Sequence, residues 1–284
     1  MVWANDNDSD SVETYRLNLG DHIVLDNIEN VDELHVPDCD LVIGGFPCQG
    51  FSVANTSRKA EDLRNKLYLQ FLRIIKAKKP RYFLAENVKG LLSLERGAIF
   101  KGMLEDFKRA GYKVQYQVAN AADYGVPQKR ERVIIVGSRL DVPEVRFPEA
   151  THARPGSLLV PPLKPWVSVS EALSKIPSPS GPSGLHNHTN SKYKLDFNGY
   201  LGHRRLNPAE PAPTVTARGD YRGGVVVLPH PNNRRRMTAR ELATVQSFPL
   251  SYKFKGSQTS VYRQVANAVP PRLAEALAKS FPRG

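Results

Sequence analysis

Cys48 lies in the stretch Gly44-Gly45-Phe46-Pro47-Cys48-Gln49-Gly50-Phe51-Ser52, directly after the apolar run Leu41-Val42-Ile43. A buried strand that ends in a glycine-rich loop is where open α/β sheets place reactive groups. The proline stiffens the approach to the thiol, and the glutamine adds a hydrogen-bonding side chain. The setting suits a thiolate nucleophile. Taken alone, the same cysteine serves equally well as a small buried apolar residue, and a thiol near its reference pKa of about 8.5 is mostly protonated at neutral pH. Two further groups bear on that choice. Glu86-Asn87-Val88 follows the apolar run Tyr82-Phe83-Leu84-Ala85, and Gln128-Lys129-Arg130-Glu131-Arg132 runs into Val133-Ile134-Ile135-Val136. Singly, Glu86 also reads as a surface acid and the arginines as a solvated charge run. Gathered at the strand ends of one sheet, the three groups could attack an electrophilic centre and stabilise the charge that develops.

The elements that must position them follow from periodicity. A strand tail at 2–4 ends in the acidic cluster Asn5-Asp6-Asn7-Asp8 and leads to a helix over 11–19 and a short strand at 22–25. Between 61 and 79, Leu67, Phe71, Ile74 and Ile75 recur at i, i+4, i+7 and i+8, which predicts an amphipathic helix closed by Pro80. A helix over 98–110 closes at Gly111, and strands at 82–85, 114–118 and 132–137 complete a core. Strands alternating with helices predict a mostly parallel, doubly wound α/β sheet. Periodicity weakens from 143 to about 233, where Pro, Ser, Gly and Asn dominate. Pieces such as Val225-Val226-Val227-Leu228 make that region an irregular, β-rich one. Order returns at Thr238, where Thr-Ala-Arg-Glu has the form of a capping box. A last helix opens at Pro270-Pro271 with Leu273, Leu277 and Phe281 on its apolar face.

Charge divides the chain in the same place. The net charge is +12; residues 1–140 hold 20 Lys+Arg against 19 Asp+Glu, and residues 141–284 hold 20 against 9. Eighteen of the 22 prolines also fall in the second part. Basic excess concentrated in one region is the electrostatic footprint of nucleic-acid binding. The two cysteines, Cys39 and Cys48, form no C-x-x-C pair, so a disulfide framework or a zinc site is not expected, and a reducing cytosol is. His186 and His188 lack partners at metal-ligand spacing, so no metal is expected. There is no apolar run of membrane-spanning length, and the acidic start does not resemble a signal peptide.

Five segments in order resemble the DNA cytosine-C5 methyltransferases of bacterial restriction–modification systems. They are Gly-Phe-Pro-Cys-Gln-Gly-Phe-Ser at 45–52, Glu-Asn-Val at 86–88, and Tyr-Gly-Val-Pro-Gln-Lys-Arg-Glu-Arg at 124–132. The others are Arg-Arg-Met-Thr-Ala-Arg-Glu at 235–241 and Gln-Val-Ala-Asn-Ala-Val-Pro at 264–270. The resemblance spans almost the whole chain and is weakest in 141–213. It implies a Rossmann-like methyltransferase core over 1–148, a smaller target-recognition region over 149–233, and a return to the core over 234–284. It also implies methyl transfer from S-adenosylmethionine to C5 of a cytosine flipped out of a specific duplex DNA sequence. In that chemistry Cys48 adds to C6 and forms a covalent intermediate, Glu86 acts at N3, Arg132 acts at O2, and Arg130 supports the Cys48 loop or a phosphate. To donate to N3, Glu86 must hold a proton, so burial should raise its pKa. The cofactor contacts implied are Asp6, Asn7, Asn27, Ile28, Pro47, Leu67, Asn267 and Ala268. Those implied for DNA are Gln49, Ser52, Thr214, Val215, Arg218 and Arg235, with Arg204, Arg205, Arg222, Arg234 and Arg236 as further phosphate or guanine contacts. A monomer acting on DNA is expected.

The chain departs from the family pattern in one respect. The family's first strand runs into a Phe-x-Gly-x-Gly-like loop that holds the methionine part of the cofactor, and the chain has no G-x-G anywhere. It opens at what resembles the end of the second strand. Truncation of a longer gene is the favoured explanation, over a split enzyme whose partner supplies the strand and over decay to a DNA-binding relative without methyl transfer. A tRNA cytosine methyltransferase is a third functional reading that the same catalytic motifs would serve. The large basic recognition region favours duplex DNA.

Overall fold

The computed structural model describes residues 1–46, 66–158, 161–198, 203–217 and 227–282. Its centre is a four-stranded sheet in the order β3 (Leu41–Gly44), β4 (Tyr82–Val88), β6 (Glu131–Arg139) and β5 (Tyr112–Asn120). Strands β3 and β4 are parallel, whereas β6 runs antiparallel to both neighbours, so three strands share one direction but the sheet is mixed, with two of its three pairings antiparallel where a mostly parallel sheet is expected. The reversal has a local cause. β5 and β6 are joined by the short 3-10 turn Ala121–Tyr124 and the residues after it, and a connection that short can only return the chain antiparallel.

Side-chain alternation then sorts the two faces. Phe83, Ala85, Val133 and Ile135 pack against α2 (Lys66–Lys78) and α3 (Ala98–Arg109). Tyr82, Leu84, Ile134 and Val136 pack against Leu273 and Leu277 of α7 (Pro271–Lys279). Both faces are covered, which is why these strands read as continuous apolar runs. The fit is close at Gly44, where an added Cβ would fall 2.5 Å from the Phe71 ring; β3 can approach α2 only because this residue is glycine.

A separate parallel pair, β1 (Ala4–Asp6) and β2 (Ile23–Leu25), brackets α1 (Ser9–Leu19). The Asp8 side chain caps α1 by accepting from Ser11 N–H at 2.9 Å. Among the described residues β1 pairs only with β2, and β3 only with β4. Ile43, an apolar residue of β3, is 58% exposed.

The C-terminal lobe has its own core, in which Val169 and Leu173 of α4 (Val169–Leu173) meet α5 (Ala239–Val245) and α6 (Gln258–Asn267). The expected capping box is present: Thr238 Oγ1 accepts from Glu241 N–H, and the Glu241 carboxylate accepts from Thr238 N–H. Within 149–233 the described backbone is irregular, as expected, but carries little β structure beyond the two-residue pair β7 (His152–Ala153) and β8 (Lys164–Pro165). Val225 and Val226 lie outside the described residues. Val227 and Leu228 are buried without forming a strand. Their apolar run marks burial, and periodicity alone does not separate a strand from any other buried segment. None of the described helices is long and apolar enough to cross a membrane.

Candidate active site

Glu86 and Arg132 stand on neighbouring antiparallel strands. Glu86 pairs with Ile134 and Val88 with Arg132, so the two charged side chains are diagonal neighbours on one face. Arg132 Nε lies 2.7 Å from Glu86 Oε1, and both side chains are largely buried. The approach is poorly aligned, and Oε1 has no hydrogen-bond donor among the described residues. Burial raises the Glu86 pKa, and the Arg132 and Arg130 charges oppose that rise without cancelling it. The carboxyl group is therefore shifted toward the protonated form, as a hydrogen-bond donor to a ring nitrogen requires.

Arg130 continues the alternation, two residues before Arg132. It is only 1% exposed, and burial pushes its guanidinium down to about 9, still charged at neutral pH. Its Nη1 donates to Val215 C=O at 3.0 Å and its Nη2 to Ala266 C=O at 2.9 Å, while Nε is buried with no acceptor among the described residues. The expected phosphate contact does not fit: a guanidinium enclosed this way cannot reach a DNA backbone.

Gly45 and Phe46, which precede Cys48 in the chain, lie beside this cluster. A Cβ placed on Gly45 would lie 3.6 Å from Glu86 Oε2. Asn87, itself buried, donates from Nδ2 to Phe46 C=O at 3.0 Å and so pins the start of the loop to β4. Cys48, Pro47, Gln49, Ser52 and Arg218 themselves, with Arg222, lie outside the described residues.

Four of the residues expected to hold the cofactor, Asp6, Asn7, Asn27 and Ile28, stand at the carboxyl ends of β1 and β2. Asp6 Oδ1 accepts from Asp8 N–H at 2.9 Å, which leaves Oδ2 open at the surface. Asn7 Nδ2 donates to Asn27 Oδ1 at 2.8 Å, tying the two strand ends together, with Ile28 half-buried beside them. Asn267 and Ala268 end α6, whose Arg263 pairs with Asp8 at 2.8 Å and so holds that helix against the same corner. Leu67, in the first turn of α2, packs at the edge of the Phe46 and Phe71 cluster. An open carboxylate oxygen for a diol, side-chain amides and a half-buried aliphatic wall fit a nucleoside.

On the DNA side, Thr214 donates from Oγ1 to Lys129 C=O at 2.8 Å and is half-buried. Val215 is 1% exposed, so its side chain cannot contact a base. Arg235 is also otherwise engaged: both Nη atoms pair with the Glu241 carboxylate, at 2.7 and 2.6 Å. Sequence reasoning missed Asn87, Gln128 and Gln246. Gln128 carries a signal in its spacing, since 128, 130 and 132 alternate onto one side.

The family model described as C-5 cytosine-specific DNA methylase matches residues 1–214 and 203–283. The chain belongs to that family. This methylase is 41% identical to the type II methyltransferase M.NgoFVII of Neisseria gonorrhoeae, over 99% of its own length and 80% of the relative's. It is 37% identical to the type II methyltransferase M.BspRI of Lysinibacillus sphaericus, over 99% and 69%. Among solved structures, a prophage-encoded E. coli protein described as a candidate DNA modification methyltransferase superposes with a TM-score of 0.74. Its identity is 22%, and the match covers 99% of the methylase and 91% of that chain. The S. pombe Dnmt2 methyltransferase superposes with a TM-score of 0.63 at 18% identity, over 98% and 89%. Both likenesses support the Rossmann-like fold.

Proposed function

We propose that this methylase acts in the bacterial cytoplasm on one cytosine within a specific duplex DNA sequence, flipped from the stack into the space between the Cys48 loop, Glu86 and Arg132. The observation that carries the reading is the buried Glu86–Arg132–Arg130 cluster beside Gly45, in which an acceptor on Glu86 and a donor on Arg130 are unmatched among the described residues. Buried polar atoms without partners are costly, and the Glu86 carboxylate lies at the strand end of the sheet, where a polar ring would meet it, while Arg130 stays enclosed behind it.

Cytosine C5 is a poor nucleophile until a group adds at C6. The Cys48 thiolate adds there, and its electron pair forms the S–C6 bond while charge moves onto the ring. Glu86 holds a proton at N3, and Arg132 donates to O2 as negative charge grows. Such oriented donors contribute roughly 3–4 kcal/mol each to a transition state. Asp6, Asn7, Asn27, Ile28, Pro47, Leu67, Asn267 and Ala268 would hold S-adenosylmethionine, which supplies an electrophilic methyl group when bound. Loss of the C5 proton then reverses the addition and frees Cys48.

Arg130 supports the reading from behind, holding Val215 and the end of α6 in place. Thr214, with Gln49, Ser52 and Arg218, would line the DNA. The edges of β1 and β3 that pair with no strand among the described residues would accept one further parallel strand, from a complementary chain. Transfer of labelled methyl groups to unmethylated phage DNA, with tRNA in a parallel reaction, tests the proposal. Label in DNA that is lost in Cys48→Ser is the expected result. Label in tRNA alone, or transfer by Cys48→Ser at the parent rate, would overturn it.

A further inference from the structure

Gln128 and Gln246 are fully buried, far apart in sequence and bonded to one another. Gln128 Nε2 donates to Gln246 Oε1 at 2.7 Å, and Gln128 Oε1 accepts from Val215 N–H at 2.9 Å. Gln246 Nε2 donates to Val265 C=O at 2.6 Å and to Ala268 C=O at 3.3 Å. Arg130 closes the circuit from the other side, joining Val215 C=O to Ala266 C=O. Both backbone groups of Val215 are thus held, and so are three carbonyls at the end of α6. The last carbonyls of a helix have no partner within it; at α6 two side chains from other elements supply the donors.

The circuit has a direction. It starts at an N–H and ends at carbonyls, so each amide must point its oxygen toward Val215, and neither can flip without facing oxygen to oxygen or nitrogen to nitrogen. Its two ends differ in what they adjoin. One end fixes the Thr214–Val215 segment, whose Thr214 is half-buried and bonded to Lys129 C=O. The other fixes the turn that carries the exposed Asn267 and half-buried Ala268. A shift of Val215 toward or away from the core must stretch the chain or carry the end of α6 with it. Packed interiors pass such shifts on because they hold few voids to absorb them.

We propose that Gln128 and Gln246 are positioning residues whose amide relay couples DNA occupancy at Thr214–Val215 to cofactor affinity at Asn267–Ala268. The inference rests on the DNA and cofactor roles proposed above for those two segments. By linkage, the coupling acts equally in both directions.

The test measures the Kd of S-adenosylhomocysteine without DNA and with saturating unmethylated phage DNA fragments, for the parent, Gln246→Met, Gln128→Met and the double variant. In the parent, DNA should tighten cofactor binding by about 5-fold or more, the usual lower range of coupling between sites. In both single variants that ratio should fall by at least half, the remainder being carried by Arg130, while the DNA-free Kd changes by less than about 3-fold. The double variant should resemble each single, since one relay is broken in all three. A merely structural role predicts instead that thermal stability falls and the ratio survives. A ratio of 1 in the parent, or the parent ratio kept in folded Gln246→Met and Gln128→Met, overturns the relay alone. A parent that binds neither DNA nor S-adenosylhomocysteine overturns the relay together with the function on which it rests.

Discussion

Among the described residues, two arginine–glutamate pairs with a buried carboxylate are built on opposite principles. At the sheet end, Glu86 meets Arg132 through one poorly aligned contact, keeps an oxygen unmatched among the described residues, and has its pKa raised because burial outweighs the two arginines. In the C-terminal lobe, Glu241 is just as buried. There burial is outweighed by the bidentate Arg235, the Thr238 N–H and the nearby His230, and the pKa is lowered. The second pair is a closed structural unit that starts α5 and holds the preceding loop. The first is an open one, kept in a state that suits a substrate and costs the empty protein stability. Burial of charge alone therefore does not mark a catalytic group; the raised Glu86 pKa and its position at the strand end are what support the role proposed for it.

The contrast can be broken most readily at Glu86. Glu86→Gln should lower kcat by about 10²–10³-fold, the usual loss for one charge-stabilising donor, yet leave the urea midpoint at pH 8 unchanged or higher. A fall in both by similar measure would make Glu86 structural. Glu241→Gln should show the converse. It leaves Arg235 and the start of α5 mismatched, and a loss of about 3 kcal/mol is expected, the low end for a broken buried pair because Arg235 keeps some solvent contact. Activity per folded molecule should stay at the parent level, as read by urea titration and transfer assay on one preparation.

Stability against pH sharpens the comparison further. A raised folded pKa means that the Glu86 contribution is complete below the ordinary carboxyl range and is lost as pH rises through the shifted value. Relative to Glu86→Gln, the parent should lose stability on going from acid to neutral pH. The lowered pKa of Glu241 gives the opposite sign. The parent's advantage over Glu241→Gln should be complete above the ordinary carboxyl range and vanish as pH falls through the folded value. Chemical denaturation at several pH values reads both, and equal signs would remove the distinction. The smallest effect expected concerns adjacent arginines. Arg234 is exposed, whereas Arg235 is bound to Glu241. Arg234→Gln should reduce the slope of log K against log salt for DNA by about 1, and Arg235→Gln should leave it unchanged where both fold.

Much of this arrangement is legible in the amino-acid sequence. The alternation in Arg130 and Arg132, the strand before Glu86 and the Thr238 box each depend on local spacing, and each lies where that spacing puts it. The partner of Arg235 is not legible. Only packing of the lobe brings that loop arginine back onto Glu241, and a guanidinium in a basic run reads the same whether it faces a phosphate or a buried acid. Val215 escapes for the same reason, since a Thr-Val pair does not say which of its groups the core takes. Val227 and Leu228 read as β structure because an apolar run reports burial more surely than conformation. Their carbonyls in fact accept from Arg236 Nη1 and Met237 N–H, without a strand ladder.

Covalent trapping compares the two pairs most directly. Duplex DNA carrying 5-fluorocytosine, incubated with S-adenosylmethionine and the folded parent, Glu86→Gln and Glu241→Gln proteins, should give a denaturation-resistant adduct through Cys48. The rate is expected to fall by about 10²-fold or more in Glu86→Gln and, per folded molecule, to match the parent in Glu241→Gln. Equal rates in parent and Glu86→Gln, or a slower rate in folded Glu241→Gln than in Glu86→Gln, would contradict the assignment of the open pair to catalysis and the closed pair to structure.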